Sequence, residues 1–300
     1  MLWSVVMTSH PYASEEDPAS AGDSVKPMTW AQLLSMPLPP PGTRINYGEG
    51  PLQFGELRVP AGDGPFPVFV LIHGGCWQSA FDYVYMTHLA AWLTEKGVAT
   101  WTIEYRRLGD EGGGWPGTFL DAANATDSLR KIAGNTPIDT ERVYTAGHSA
   151  GGQLALWLAS RSRLPESSEL YLKDPLPIRG VLGLAAITDL SQYRFGPPDS
   201  CHASVEPLLG GSPDQIGRRY AETSPAELLP LRVPQIFIQG GKDPIVSAES
   251  VGKYVNASEK AGDNVTLLQL TSLGHFDTAV PTPGTEGALN NAVQTLLGTK

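Results

Sequence analysis

Short apolar runs alternate along the chain with longer stretches in which apolar residues recur every third or fourth position. The runs are PVFVLIH (67–73), VATWTIEY (98–105), RVYTAGH (142–148), GVLGLAA (180–186), QIFIQG (235–240) and VTLLQL (265–270). Brevity and the flanking Gly and Pro residues make each a strand candidate. Between them lie YMTHLAAWLTEKG, TFLDAANATDSLRKIAG, GGQLALWLASRSR and ESVGKYVNASEKAG, whose i, i+3, i+4 spacing predicts helices, most of them stopped at glycine. Strands alternating with helices predict right-handed crossovers and a mainly parallel central sheet with helices on both faces, an α/β fold. Ligand chemistry in such sheets gathers at the carboxyl ends of the strands.

The alternation begins late. Residues 8–27, rich in Ser, Ala, Asp, Glu and Pro, predict a mobile tail, and MTWAQLLSM (28–36) predicts one short amphipathic helix. PLPPPG then forces an extended connector. TRINYG and LQFGELRVP, separated by EGP, predict an antiparallel hairpin. The chain thus divides into a tail and short helix (1–45) and one α/β domain (46–300), with no internal repeat. One stretch breaks the pattern: residues 187–224, rich in Pro, Gly and Ser, are too long for a simple turn and are a candidate lid or pocket wall.

With 300 residues, 41% of them hydrophobic, the chain can bury one large core. A net charge of −10 argues against a nucleic-acid partner, which would call for clustered Lys and Arg. The opening MLWSVVM lacks a basic flank and runs into the acidic SEEDP, so no secretory signal is expected, and no later run is long enough to span a membrane. The two cysteines, Cys76 and Cys201, are too few for a disulfide framework; they fit a reducing compartment and leave room for one bridge. Together these features predict a cytoplasmic protein. The six histidines show no metal-ligand spacing, so no metal is expected. Gly112, Gly114 and Gly117 formally match GxGxxG, but Pro116 and their distance from the preceding strand argue against a dinucleotide site.

The run 142–148 ends abruptly in GHSAG (147–151), a Gly-x-Ser-x-Gly motif between a strand and a helix candidate. So tight a reversal strains Ser149 and lifts its hydroxyl above the sheet, while Gly147, Gly151 and Gly152 let the two backbones approach. A serine hydroxyl needs a base, and the base an orienting acid. Asp243 in GKDPIV and His275 in TSLGHFD each follow a strand candidate, in the order Ser, acid, His that this scaffold uses. Asp189 is the rival acid, and Asp277 is too near His275 in sequence to orient it. HGGCW (73–77) follows the strand 67–73 and supplies candidate oxyanion donors, the amides of Gly75 and Cys76, with a third from Ala150 after the serine. His73 reads as a brace for that loop. A Cys76 thiol nucleophile is the weaker alternative.

The segments HGGCW, DTERVYTAGHSAGGQLAL, TSPAELL, GGKDPIV and GHFD resemble the α/β-hydrolase family, in its branch of carboxylesterases and kynurenine formamidase-like proteins, from about residue 45 to the C-terminus. The resemblance implies Ser149 as nucleophile, Asp243 as acid, His275 as base, Gly75, Cys76 and Ala150 as the oxyanion hole, and no cofactor. The related hormone-sensitive-lipase-like esterases usually show HGGG and an acidic residue before the serine, where this chain has Cys76 and His148. The expected function is hydrolysis of short- to medium-chain or aryl carboxylic esters, a small-molecule substrate class. The alternatives are an aryl formamidase acting on N-formyl anilines, a peptidase, or a non-catalytic binding protein on the same fold. Trp77, Trp115, Phe195 and Phe276, with Phe81, Tyr83 and Tyr193, are the candidate pocket aromatics.

Overall fold

The protein is described by a computed structural model covering residues 26–299. The expected tail lies almost wholly outside them. The short helix is present as α1 (Trp30–Leu34), opened by Thr29 and Gln32 in a reciprocal capping box.

Eight strands form one sheet: β1 (Thr43–Asn46), β2 (Phe54–Arg58), β3 (Phe66–Ile72), β4 (Ala99–Ile103), β5 (Ile138–His148), β6 (Val181–Leu184), β7 (Gln235–Gly240) and β8 (Val265–Leu270), in the order β1-β2-β4-β3-β5-β6-β7-β8. The hairpin β1–β2 and the pair β2–β4 are antiparallel, and every later pair is parallel. The covering elements are α2 (Thr87–Glu95), α3 (Gly117–Asp127), α4 (Leu129–Ile132), α5 (Ala150–Ser160), α6 (Leu190–Tyr193), α7 (Val205–Leu209), α8 (Pro213–Thr223), α9 (Ala248–Lys260) and α10 (Glu286–Leu297).

The unbroken hydrophobicity of β3 has a direct cause. Its side chains alternate between faces, and both faces are buried. Val68, Val70 and Ile72 join one core with Trp101, Phe119, Leu154 and Trp157, while Phe69 and Leu71 join the other with Tyr144, Leu182, Leu289 and Leu296. The helix α10 closes the second core but was not expected from the pattern. Its buried Leu289, Ala292, Val293 and Leu296 carry the right spacing, diluted by the polar residues between them.

The stretch 187–224 is less irregular than its composition suggests. It holds α6, α7 and α8, the last opened by a capping box from Ser212 to Gln215 with Pro213 at its first turn.

Candidate active site

Ser149 sits between β5 and α5 with φ 57° and ψ −120°, a conformation disfavoured for a residue with a Cβ. Surrounding bonds hold it there: its amide donates to the Leu184 carbonyl at 2.9 Å, and its own carbonyl accepts from Gly152 and Ile187 at 3.0 and 3.1 Å. A Cβ at position 151 would collide with the backbone carbonyls of Ile72 and His73, so only glycine lets α5 start this close to β3.

After β3 the chain turns through Gly75, Cys76 and Trp77, three consecutive residues at positive φ (99°, 57° and 56°). Gln78 N–H closes the turn on the Gly75 carbonyl at 2.9 Å. A side chain at position 75 would strike Phe81. His73 braces the base of this loop: Nε2 meets Glu104 Oε1 at 2.9 Å, Nδ1 meets the Gly74 carbonyl at 2.8 Å, and its own carbonyl accepts from Tyr105 Oη. Burial pushes the Glu104 carboxyl up, but the attraction and hydrogen bond of His73, with Arg107, outweigh it and leave the group below its ordinary range.

His275 follows β8, and Asp243 follows β7. His275 Nδ1 lies 2.7 Å from Asp243 Oδ2, with both side chains buried. The other oxygen, Oδ1, accepts from the amides of Ile245 and Val246 at 2.8 and 2.9 Å, and Gln239 Nε2 donates to Oδ2 at 3.2 Å. The rival acid is elsewhere: Asp189 caps α6 by accepting from the Gln192 amide at 3.0 Å. Asp277 accepts from the amides of Gly274 and Met28 at 2.8 and 3.0 Å. Among the described residues no hydrogen bond joins Ser149 Oγ to His275; in ligand-free sites this contact often tightens only with substrate present.

Ser149 and His275 border one cavity of about 790 Å³. Its walls include Gly75 and Cys76, the aromatic rings of Trp30, Phe81, Tyr85, Tyr193 and Phe276, and the segment from Pro197 to Ser204. No Lys or Arg is among its lining residues.

Three of the four aromatics expected to bind substrate lie elsewhere. Trp77 is fully buried and donates from Nε1 to Gln153 Oε1 at 3.2 Å, because its positive φ turns the side chain into the core. Trp115 lies in a separate groove, hydrogen-bonded to Glu169 and covered by the Arg219 guanidinium 4.8 Å from its ring. Phe195 is 62% exposed under Arg194, outside the cavity. Phe276 does line it, as do Phe81 and Tyr193, whereas Tyr83 packs edge-on against Phe54. Two cavity residues had no signal in the sequence: Trp30, whose place depends on how the N-terminal segment docks, and Tyr85, which reads as an ordinary core position.

Cys76 and Cys201 form a disulfide, with their Cα atoms 4.9 Å apart. This is the one bridge that the sequence left open, and it leaves Cys76 without a free thiol. Among the described residues no helix is long and apolar enough to cross a membrane.

This sheet order, the strained serine between β5 and α5, and an acid and a histidine after the last two strands define an α/β-hydrolase fold. The family model described as BD-FAE matches residues 57–256, and the chain belongs to that family. Esterase EstD of Thermotoga maritima is 26% identical over 251 residues, covering 74% of this chain and 57% of EstD. The chain thus spans little more than half the length of that curated relative. Among solved structures, a truncated carbohydrate esterase from gut microbiota is 18% identical with a TM-score of 0.73, covering 87% of this chain and 97% of its own. Esterase B from Lactobacillus rhamnosus is 19% identical with a TM-score of 0.73, covering 85% and 84%.

Proposed function

We propose that the protein hydrolyses short- to medium-chain or aryl carboxylic esters through an acyl-enzyme on Ser149. The observation that carries this reading is the buried 2.7 Å contact between His275 and Asp243 beside a serine held at positive φ. Asp243, already accepting hydrogen bonds from two backbone amides, also accepts one from Nδ1–H of His275, which holds the ring in the tautomer whose Nε2 is free to act as base. Ser149 Oγ attacks the ester carbonyl as His275 takes its proton. The oxyanion that forms is met by the amides of Gly75, Cys76 and Ala150. His275 then returns the proton to the leaving alcohol, and water, activated by the same imidazole, releases the acid. No metal or cofactor takes part in these steps.

The absence of cations from the cavity wall favours neutral substrates over anionic ones. The segment 187–224 supplies part of the pocket wall, through Tyr193 and residues 197–204. The similar esterases, which match a longer chain or only the fold, support the reaction class and leave the substrate open.

The test is steady-state kinetics on a matched panel of aryl esters, alkyl esters, anilides and N-formyl anilines, with Ser149→Ala beside the wild type. Ester turnover that falls about a millionfold in the variant supports the reading. Retention of a few per cent of activity removes Ser149 from the mechanism, and faster turnover of N-formyl anilines than of every ester makes the protein a formamidase.

A further inference from the structure

Two buried polar side chains at the site take no part in the mechanism above. Tyr85 and His148 are both almost completely enclosed, and each faces a part of the site that must be held still. Gly74 N–H donates to Tyr85 Oη at 2.6 Å. Tyr85 Oη lies 2.9 Å from His148 Nδ1. His148 Nε2 lies 3.1 Å from the backbone carbonyl of His275.

The direction of every bond follows from the two ends. A carbonyl can only accept, so Nε2 of His148 carries a proton. Burial, and then the neighbouring His275, hold the His148 ring neutral by pushing its pKa well below the ordinary histidine value. Nδ1 is therefore an acceptor, and the Tyr85 hydroxyl donates to it. That leaves the Tyr85 oxygen free to accept from Gly74, an amide that can only donate. The four groups form one unbroken chain with every donor and acceptor used in a single direction.

We infer that Tyr85 and His148 are positioning residues that lock the oxyanion loop to the backbone of the catalytic base. Gly74 precedes the two loop amides that face the substrate, and the carbonyl at the other end belongs to His275 itself. The chain runs past Ser149, since His148 is its immediate neighbour. A carboxylate at position 148 could accept from Tyr85 but could not donate to the His275 carbonyl, so histidine suits both ends. A displacement of about 1 Å at such a site costs on the order of 100-fold in rate, which sets the scale of what the lock protects.

This role rests on the ester-hydrolase reading, so the test includes a measurement that needs no turnover. Tyr85→Phe keeps the ring and removes the hydroxyl. The expected result is a kcat lower by about 10- to 100-fold, with KM within about twofold and a melting temperature within a few degrees of wild type. Calorimetry with phenylboronic acid, which adds to a serine hydroxyl as a tetrahedral anion, should show affinity falling by a comparable factor. His148→Gln should act likewise, and the double variant should be no worse than the poorer single one, because both break the same chain. A Tyr85→Phe protein within about twofold of wild type in both kcat and boronate affinity overturns the inference. So does one that loses only thermal stability, or a double variant whose losses multiply. Failure of all esters as substrates would reject the proposed function, while boronate binding would still report on the chain.

Discussion

Cys76, which lines the cavity beside Ser149, is covalently joined to Cys201, in the segment 197–204 that lines the same cavity, across a sequence separation of 125. The bridge ties the turn at Gly75–Trp77 to the segment 197–204 and closes a long loop in the unfolded chain. Disulfides typically contribute about 2–4 kcal/mol. Cys76→Ala and Cys201→Ala remove the same bond and should lower stability equally in chemical denaturation. Both should keep measurable ester turnover, because the Cys76 amide is untouched. An inactive Cys76→Ala protein beside an active Cys201→Ala protein would return the Cys76 side chain to the mechanism.

The acid assignment separates equally cleanly. Asp243→Asn should lower kcat by about 10⁴-fold, since an amide can hold His275 in the wrong tautomer. Asp189→Asn should leave turnover within a few-fold, since Asp189 only caps α6 and asparagine caps as well. Reversed effects in the same kinetic assay would move the acid to the earlier strand.

What the sequence shows and what it hides divide along a physical line. The strand runs, the elbow at Ser149 and the order of Asp243 and His275 are local: each is written in a few adjacent residues, and the sheet brings their ends together. Trp77 and Trp115 were misplaced because their side-chain directions depend on the backbone. Three left-handed residues in a row turn Trp77 inward, and nothing in HGGCW states on which side the indole falls. Trp30 and the pairing of Cys76 with Cys201 depend on contacts between segments far apart in sequence, which composition and periodicity do not encode.

The buried, neutral His148 should also shape the response to acid. In the unfolded chain a histidine takes up a proton near its ordinary value of 6.5, whereas the folded state holds His148 neutral well below that. The folded pKa is depressed, so the contribution of this residue is full above 6.5 and is lost as pH falls toward the folded value. The loss amounts to at most about 1.4 kcal/mol per pH unit. His88, also lowered by burial, contributes in the same window, so the comparison must be between proteins. Denaturation midpoints of wild type and His148→Gln between pH 7 and 5 should converge on acidification. Parallel curves would mean that His148 protonates in the folded protein.

Trp30 bears on substrate range. Its ring lies 5.5 Å from Phe81, 5.4 Å from Tyr85 and 5.5 Å from Phe276, and it lines the cavity that contains Ser149. The segment is pinned by the Met28 amide on Asp277, the residue that also accepts from Gly274 beside His275. Removing this ring takes away an apolar wall without touching the reacting groups. Trp30→Ala should therefore lower kcat/KM for phenyl acetate and ethyl benzoate about 10- to 100-fold relative to ethyl acetate, and Trp30→Phe should restore much of it. The wild type should in turn favour acetates and butyrates over palmitates, because methylenes that extend beyond the walls gain none of the ~0.8 kcal/mol that burial of each would give. A Trp30→Ala enzyme with unchanged ratios would place the aromatic group elsewhere in the cavity, and a preference for palmitate would mean that the wall at 187–224 opens further than the structure shows.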